Sequence, residues 1–173
     1  MFRRLHKRIF ITALFAGIFL SAAALAEEPE HAHNHGTDTH HHDAWELGLA
    51  VGAVALVNES EVALGLHLHA LRALPWLNGW RLGVGAETVL DEHAHANLAV
   101  VINYELFGGL NASVAPGVLV VETEQGWTPK VAAHFELAWE FDLGGVHLGP
   151  VLEYAWSSID QHAMVGLHVG LPL

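Results

Sequence analysis

The chain has 173 residues, seven Lys/Arg against nineteen Asp/Glu, no cysteine and a formal charge of −12. The absence of cysteine excludes a disulfide framework and a lipid anchored through a thiol. The acidic balance disfavours phosphate backbones, excluding nucleic acid as a partner, and suits cations instead.

Residues 1–26 read as a secretory signal peptide. Arg3, Arg4, Lys7 and Arg8 precede the apolar run Ile9 to Leu20, and Ala24-Leu25-Ala26 supplies an A-x-A cleavage site. The apolar run is shorter than the roughly 20 residues a membrane helix needs. Cleavage leaves three basic residues, Arg72, Arg81 and Lys130, against all nineteen acidic ones, a formal charge of −16. Residues 27–43 are polar, low in complexity and carry His31, His33, His35, His40, His41 and His42. They hold no apolar periodicity and read as a disordered tail, whose imidazoles suit transition metals.

From Ala44 onward the pattern has period 2, the signature of strands with one apolar and one polar face. Strand one, about 44–57, sets Trp45, Leu47, Leu49, Val51, Ala53, Ala55 and Val57 against Glu46, Gly48, Ala50 and Gly52. Strand two, about 61–73, sets Val62, Leu64, Leu66, Leu68 and Ala70 against Glu61, Gly65, His67 and His69. Strands three and four, about 80–91 and 94–106, place Arg81, Glu87, Asp91, His95, Asn97, Asn103 and Glu105 on the polar face. Strand five, about 110–121, is interrupted by Pro116-Gly117, and a longer loop is expected over 122–129. Strand six, about 130–142, sets Val131, Phe135, Leu137, Trp139 and Phe141 against Lys130, His134, Glu136, Glu140 and Asp142; Gly144-Gly145 marks a tight hairpin. Strands seven and eight, about 146–157 and 161–173, carry His147, Glu153, His162 and His168 on the polar face.

Strands this long exceed the usual globular length of about 5–6 residues and match the roughly 9–11 needed to cross a bilayer at a tilt. An even number of them can close on itself and leave no edge for lipid. The sequence therefore predicts an all-β fold over 44–173, an eight-stranded antiparallel up-and-down transmembrane β-barrel in the cell outer membrane, surrounded by its lipid and monomeric. With the tail in the periplasm, the turns at 74–79, 107–109 and 143–145 are periplasmic. The short loops 58–60, 92–93, 122–129 and 158–160 then face outward. Trp45, Trp80, Tyr104, Trp139 and Phe141 fall near one end and Tyr154 and Trp156 near the other, as aromatic girdles would.

In this pattern the chain resembles the small outer-membrane barrels: the OmpA transmembrane domain, OmpX and the OmpW group. The resemblance spans about residues 44–173 and implies a Gram-negative outer membrane. Members of those groups usually end in Phe, whereas this chain ends Pro172-Leu173.

An interior of eight strands is just wide enough to be filled by side chains. Seven polar-face glutamates, 46, 61, 87, 105, 136, 140 and 153, face only Arg81 and Lys130 as basic partners. Buried carboxylates without partners are costly. One outcome is a purely structural polar network. The other is divalent metal (Zn, Ni or Cu) held by His67, His69, Glu87, His134, Glu136, Glu153 and His168 together with the six tail histidines. On strand order, Glu87, His134, Glu136 and Glu153 share a height in the outer half, and His67, His69 and His168 lie near the middle. The turn 91–95 adds His93 and His95.

The expected role is structural or interaction-based rather than enzymatic. A lipid-modifying enzyme built on Ser157, Ser158, Asp160 and His162 is the competing class. A soluble calycin-like barrel with its faces reversed is a third. If the leader is read correctly, sequencing the exported protein from its amino terminus returns Glu27-Glu28-Pro29; a chain still carrying Met1 overturns it.

Overall fold

The computed structural model describes residues 45–57, 61–91, 94–123 and 126–173. The signal peptide, the His-rich tail (His31, His33, His35, His40, His41 and His42), the loop 58–60, and Glu92 and His93 lie outside those residues. The strands are β1 (Trp45–Leu56), β2 (Glu61–Ala73), β3 (Trp80–Leu90), β4 (Ala94–Phe107), β5 (Leu110–Thr123), β6 (Gly126–Trp139), β7 (Phe141–Asp142), β8 (His147–Ser157) and β9 (Gln161–Pro172). β6 and β7 pair with β8 in one continuous register, so the nine elements form eight staves.

Sequential neighbours pair antiparallel, and β9 returns to β1 from Glu46↔Pro172 through Leu56↔His162. The sheet is therefore closed. Following paired residues once around, Trp45 leads through Arg72, Leu82, Ile102, Val114, Phe135, Tyr154 and Ala163 to Ala55. Each circuit climbs ten residues of β1, which is the shear that tilts the staves. The start of β1, the end of β9 and the turns after β2, β4 and β7 share one rim, called here the terminal end. At that rim Leu143 donates to Val146 across Gly144 and Gly145, both at positive φ, in the tight turn the sequence predicts.

Alternation places His and Glu inside and large apolar side chains outside. Val131 and Val165 are 73% and 65% exposed, whereas Glu153 is 1% and His168 0% exposed. That excludes the calycin-like alternative, whose faces would be reversed. Leu68, Ala70, Ala86 and Thr88 are buried although their parity is outward. Trp80 packs on Tyr104 with ring centroids 4.8 Å apart, Trp139 stacks on Phe141, and Arg72 lies over Trp45, all toward the terminal end. Trp127 and Trp156 are exposed on the opposite half. No helix among the described residues is long and apolar enough to span a membrane.

Two expectations are corrected. The loop over 122–129 is mostly strand: β5 runs to Thr123 and β6 begins at Gly126. Gly126 and Pro129 suggested a loop, but residues 126–131 pair with β5 alone, since the β8 ladder begins at Ala132. Proline is tolerated on such an edge because its missing N–H interrupts no second ladder. The sixth strand is also not continuous. It breaks at Glu140, whose N–H donates to Gly109 at 2.8 Å.

A charge placed on the lipid-facing surface near mid-bilayer costs about 2–4 kcal/mol in barrels of this kind. Val100→Arg, on the exposed face of β4, is expected to lower stability by that amount in a denaturant titration of the protein folded into vesicles. An unchanged midpoint would contradict the inside–outside assignment.

Candidate metal centre in the barrel lumen

The side chains on the inward face are ordered along the barrel axis by register and shear. Nearest the terminal end are Glu46, Arg81, Glu140 and His147; then His69 and His168; then His67, Glu136 and Glu153; then Glu87 and His134; and farthest His162. His67 is the cross-strand partner of Glu87, and Glu136 that of Glu153. Space for the ring pair comes from Gly48: a Cβ there would lie 2.1 Å from His69 Nε2 and 2.6 Å from His168 Nε2. The imidazoles of His69 and His168 stack 5.1 Å apart in that gap.

The densest contacts lie in the upper half. His134 Nδ1 is 2.7 Å from Glu153 Oε1 and 2.9 Å from Glu87 Oε2. His67 Nδ1 is 3.2 Å from the other Glu153 oxygen and 3.5 Å from Glu136 Oε2. Glu87 Oε1 continues to His162 Nε2 at 2.8 Å, and His162 Nδ1 to Asp160 Oδ2 at 2.9 Å. All of these groups except Asp160 are buried. The arginine on the inward face, Arg81, contacts Glu46 at 3.4 Å near the terminal end. Lys130 sits toward the opposite rim by register.

Four groups of three bring a ligand atom from each residue within 4.8 Å of one another: Glu87–His134–Glu153, His67–His69–Glu136, Glu46–His69–His168 and Glu46–Glu140–His147. Tetrahedral Zn²⁺ with bonds of about 2.0–2.2 Å sets its donors about 3.3 Å apart, so small side-chain shifts would bring such a group to bonding geometry. All seven lumen residues named from the sequence fall in these groups. Their grouping differs from the expectation: Glu136 sits below Glu87 and His134 and joins His67 and His69. Strand order alone could not show this, because shear raises each successive stave relative to the last. The sequence reading of metal ligands omitted Glu46, Glu140 and His147, which these groups also contain. Their polar-face parity was visible, but not the register that brings them to the others.

The Ser–Asp–His string is assembled as a turn. The Ser157 hydroxyl accepts from the Asp160 N–H at 2.9 Å and donates to the Asp160 carbonyl at 3.1 Å. Both ring nitrogens of His162 are taken by carboxylates. Neither group is arranged as nucleophile and base.

No protein-family model matches the chain, and no curated protein matches it in sequence. Among solved structures it is similar to Neisserial surface protein A, at 9% identity and a TM-score of 0.50, with 75% of this chain and 96% of that chain covered. It is also similar to a de novo designed transmembrane β-barrel, at 16% identity and a TM-score of 0.51, with 73% and 95% covered. At these identities the likeness is one of fold. The chain is thus a small eight-stranded barrel of the outer-membrane type.

Hydrogen bonds involving charged groups contribute about 1.5–3 kcal/mol each. Glu153→Leu removes the carboxylate shared by His67 and His134. It is expected to cost about 1–3 kcal/mol in vesicle refolding titrations; a loss below about 0.5 kcal/mol would show that these contacts hold nothing together.

Proposed function

We propose that this protein resides in the outer membrane as a monomer with its amino-terminal segment in the periplasm, and that its filled lumen binds one divalent transition-metal ion. Zn²⁺ fits the mixed imidazole and carboxylate donors, and Ni²⁺ and Cu²⁺ fit the same set. The observation that carries the reading is the convergence of Glu87 and Glu153 on a single nitrogen of His134. One N–H can point at one of the two carboxylates. A metal ion bound at that nitrogen would satisfy both carboxylates and offset their charge in a region without Lys or Arg. A packed lumen of this width leaves no room for an open pore, and short loops offer little surface for adhesion. The six tail histidines form a second, weaker class of metal donor.

Calorimetry with Zn²⁺ on the full mature chain carrying Ala at His31, His33, His35, His40, His41 and His42 tests the lumen apart from the tail. The expected result is one ion per barrel, lost on His134→Ala. At a free concentration of 100 times Kd the ion should raise stability by about 2.7 kcal/mol. Absence of binding by the tail variant would make the lumen a structural polar network. Recovery of the folded chain in the soluble periplasm would overturn the location.

A further inference from the structure

The two ends of the lumen differ. Toward the far rim Val54, Leu56 and Val89 pack together with Met164 from the interior. At the terminal end a cavity of about 440 Å³ is lined by Glu46, Arg81, Asn111, Glu140, Asp142 and His147, among others. In it, His147 Nδ1 is 2.9 Å from Glu46 Oε2 and 3.7 Å from Glu140 Oε2. Among the described residues the second Glu46 oxygen has no hydrogen-bond partner, and the residue is only 5% exposed. The carbonyl oxygen of Asn111 is in the same condition at 3% exposure. Asn111 Nδ2 holds Glu140 Oε2 in place at 3.0 Å. These are free oxygen donors beside an imidazole, in a cavity with an acidic surplus.

The groups deeper in the lumen follow without a gap. Glu46 belongs both to the vestibule group and to the next, with His69 and His168. His69 belongs to that group and to the one with His67 and Glu136. Glu140 Oε1 reaches His168 Nδ1 at 3.2 Å, and His168 Nε2 lies 3.4 Å from His69 Nε2. From there His67 contacts Glu153 of the upper group.

We infer that Glu46, Glu140 and His147 form a loading site through which divalent metal enters the lumen from the terminal end. Shared ligands Glu46 and His69 pass the ion inward. This inference rests on the metal reading of the lumen given above. Removing an ion from water into a protein interior costs several kcal/mol unless ligands replace the hydration shell. The first three groups overlap at Glu46 and His69, so the ion keeps a ligand through those steps, and the contact of His67 with Glu153 bridges to the upper group. The acidic mouth also concentrates cations at the entrance. Arg81, 3.4 Å from Glu46, competes with the ion for that carboxylate.

The test is stopped-flow uptake of Zn²⁺, read with a fluorescent zinc chelator, by the full mature chain folded in detergent with the six tail histidines replaced by Ala. The double variant Glu140→Gln/His147→Ala is expected to slow uptake at least tenfold while final occupancy stays near one ion. Arg81→Gln is expected to speed uptake. Uptake at the parent rate by the double variant, or by Arg81→Gln if the double variant fails the heat-modifiability test for folding, overturns the loading site and leaves the lumen site standing. No uptake by the parent overturns the metal reading itself.

Discussion

Within a bilayer no water is available to satisfy backbone N–H and C=O groups, so a sheet there must close on itself. In this protein the constraint is met where β9 pairs with β1 from Glu46↔Pro172 to Leu56↔His162. Closure with eight staves and a shear of ten fixes the cross-section of the interior. Everything on the inward face then has to fit into that section. Large apolar residues go outward toward lipid, and the histidines and glutamates of the other parity are pressed against one another.

That pressing is expensive to maintain by ion pairs alone. Buried pairs repay their desolvation only with excellent geometry, and well-packed apolar side chains are often as stable or more so. The interior at Val54, Leu56, Val89 and Met164 shows that this barrel can be filled that way. The remainder instead carries Glu46, Glu87, Glu136 and Glu153 among five buried histidines. The apolar cluster thus occupies one part of the far half, beside Glu87, His134 and His162, and the donors continue from there to the terminal rim. At Gly48 the missing Cβ is what lets His69 and His168 stack.

Much of the fold was legible because strand periodicity is local. Parity along β1, β6 and β9 separates the faces correctly residue by residue, and the glycine pair at 144–145 marks its hairpin. The misreadings have a physical cause in each case. Gly126 and Pro129 look like loop residues until one sees that residues 126–131 have a neighbour on one side only. Glu140 looks like any strand residue until its N–H is seen bonded to Gly109 at the break between β6 and β7. The closeness of Ser157 and Asp160 in sequence is used by their turn for its own hydrogen bonds.

By itself the sequence determined that this protein is an eight-stranded barrel, which face of each strand is polar, and that this face is rich in imidazole and carboxylate but poor in Lys and Arg. These follow from period and composition, which need no knowledge of neighbours. Only the tertiary structure decided which donors meet. His67 reaches Glu153 across 86 positions, Glu46 reaches His147 across 101, and Glu87 reaches His162 across 75. Those meetings depend on register and shear, properties of the closed sheet that no single strand carries.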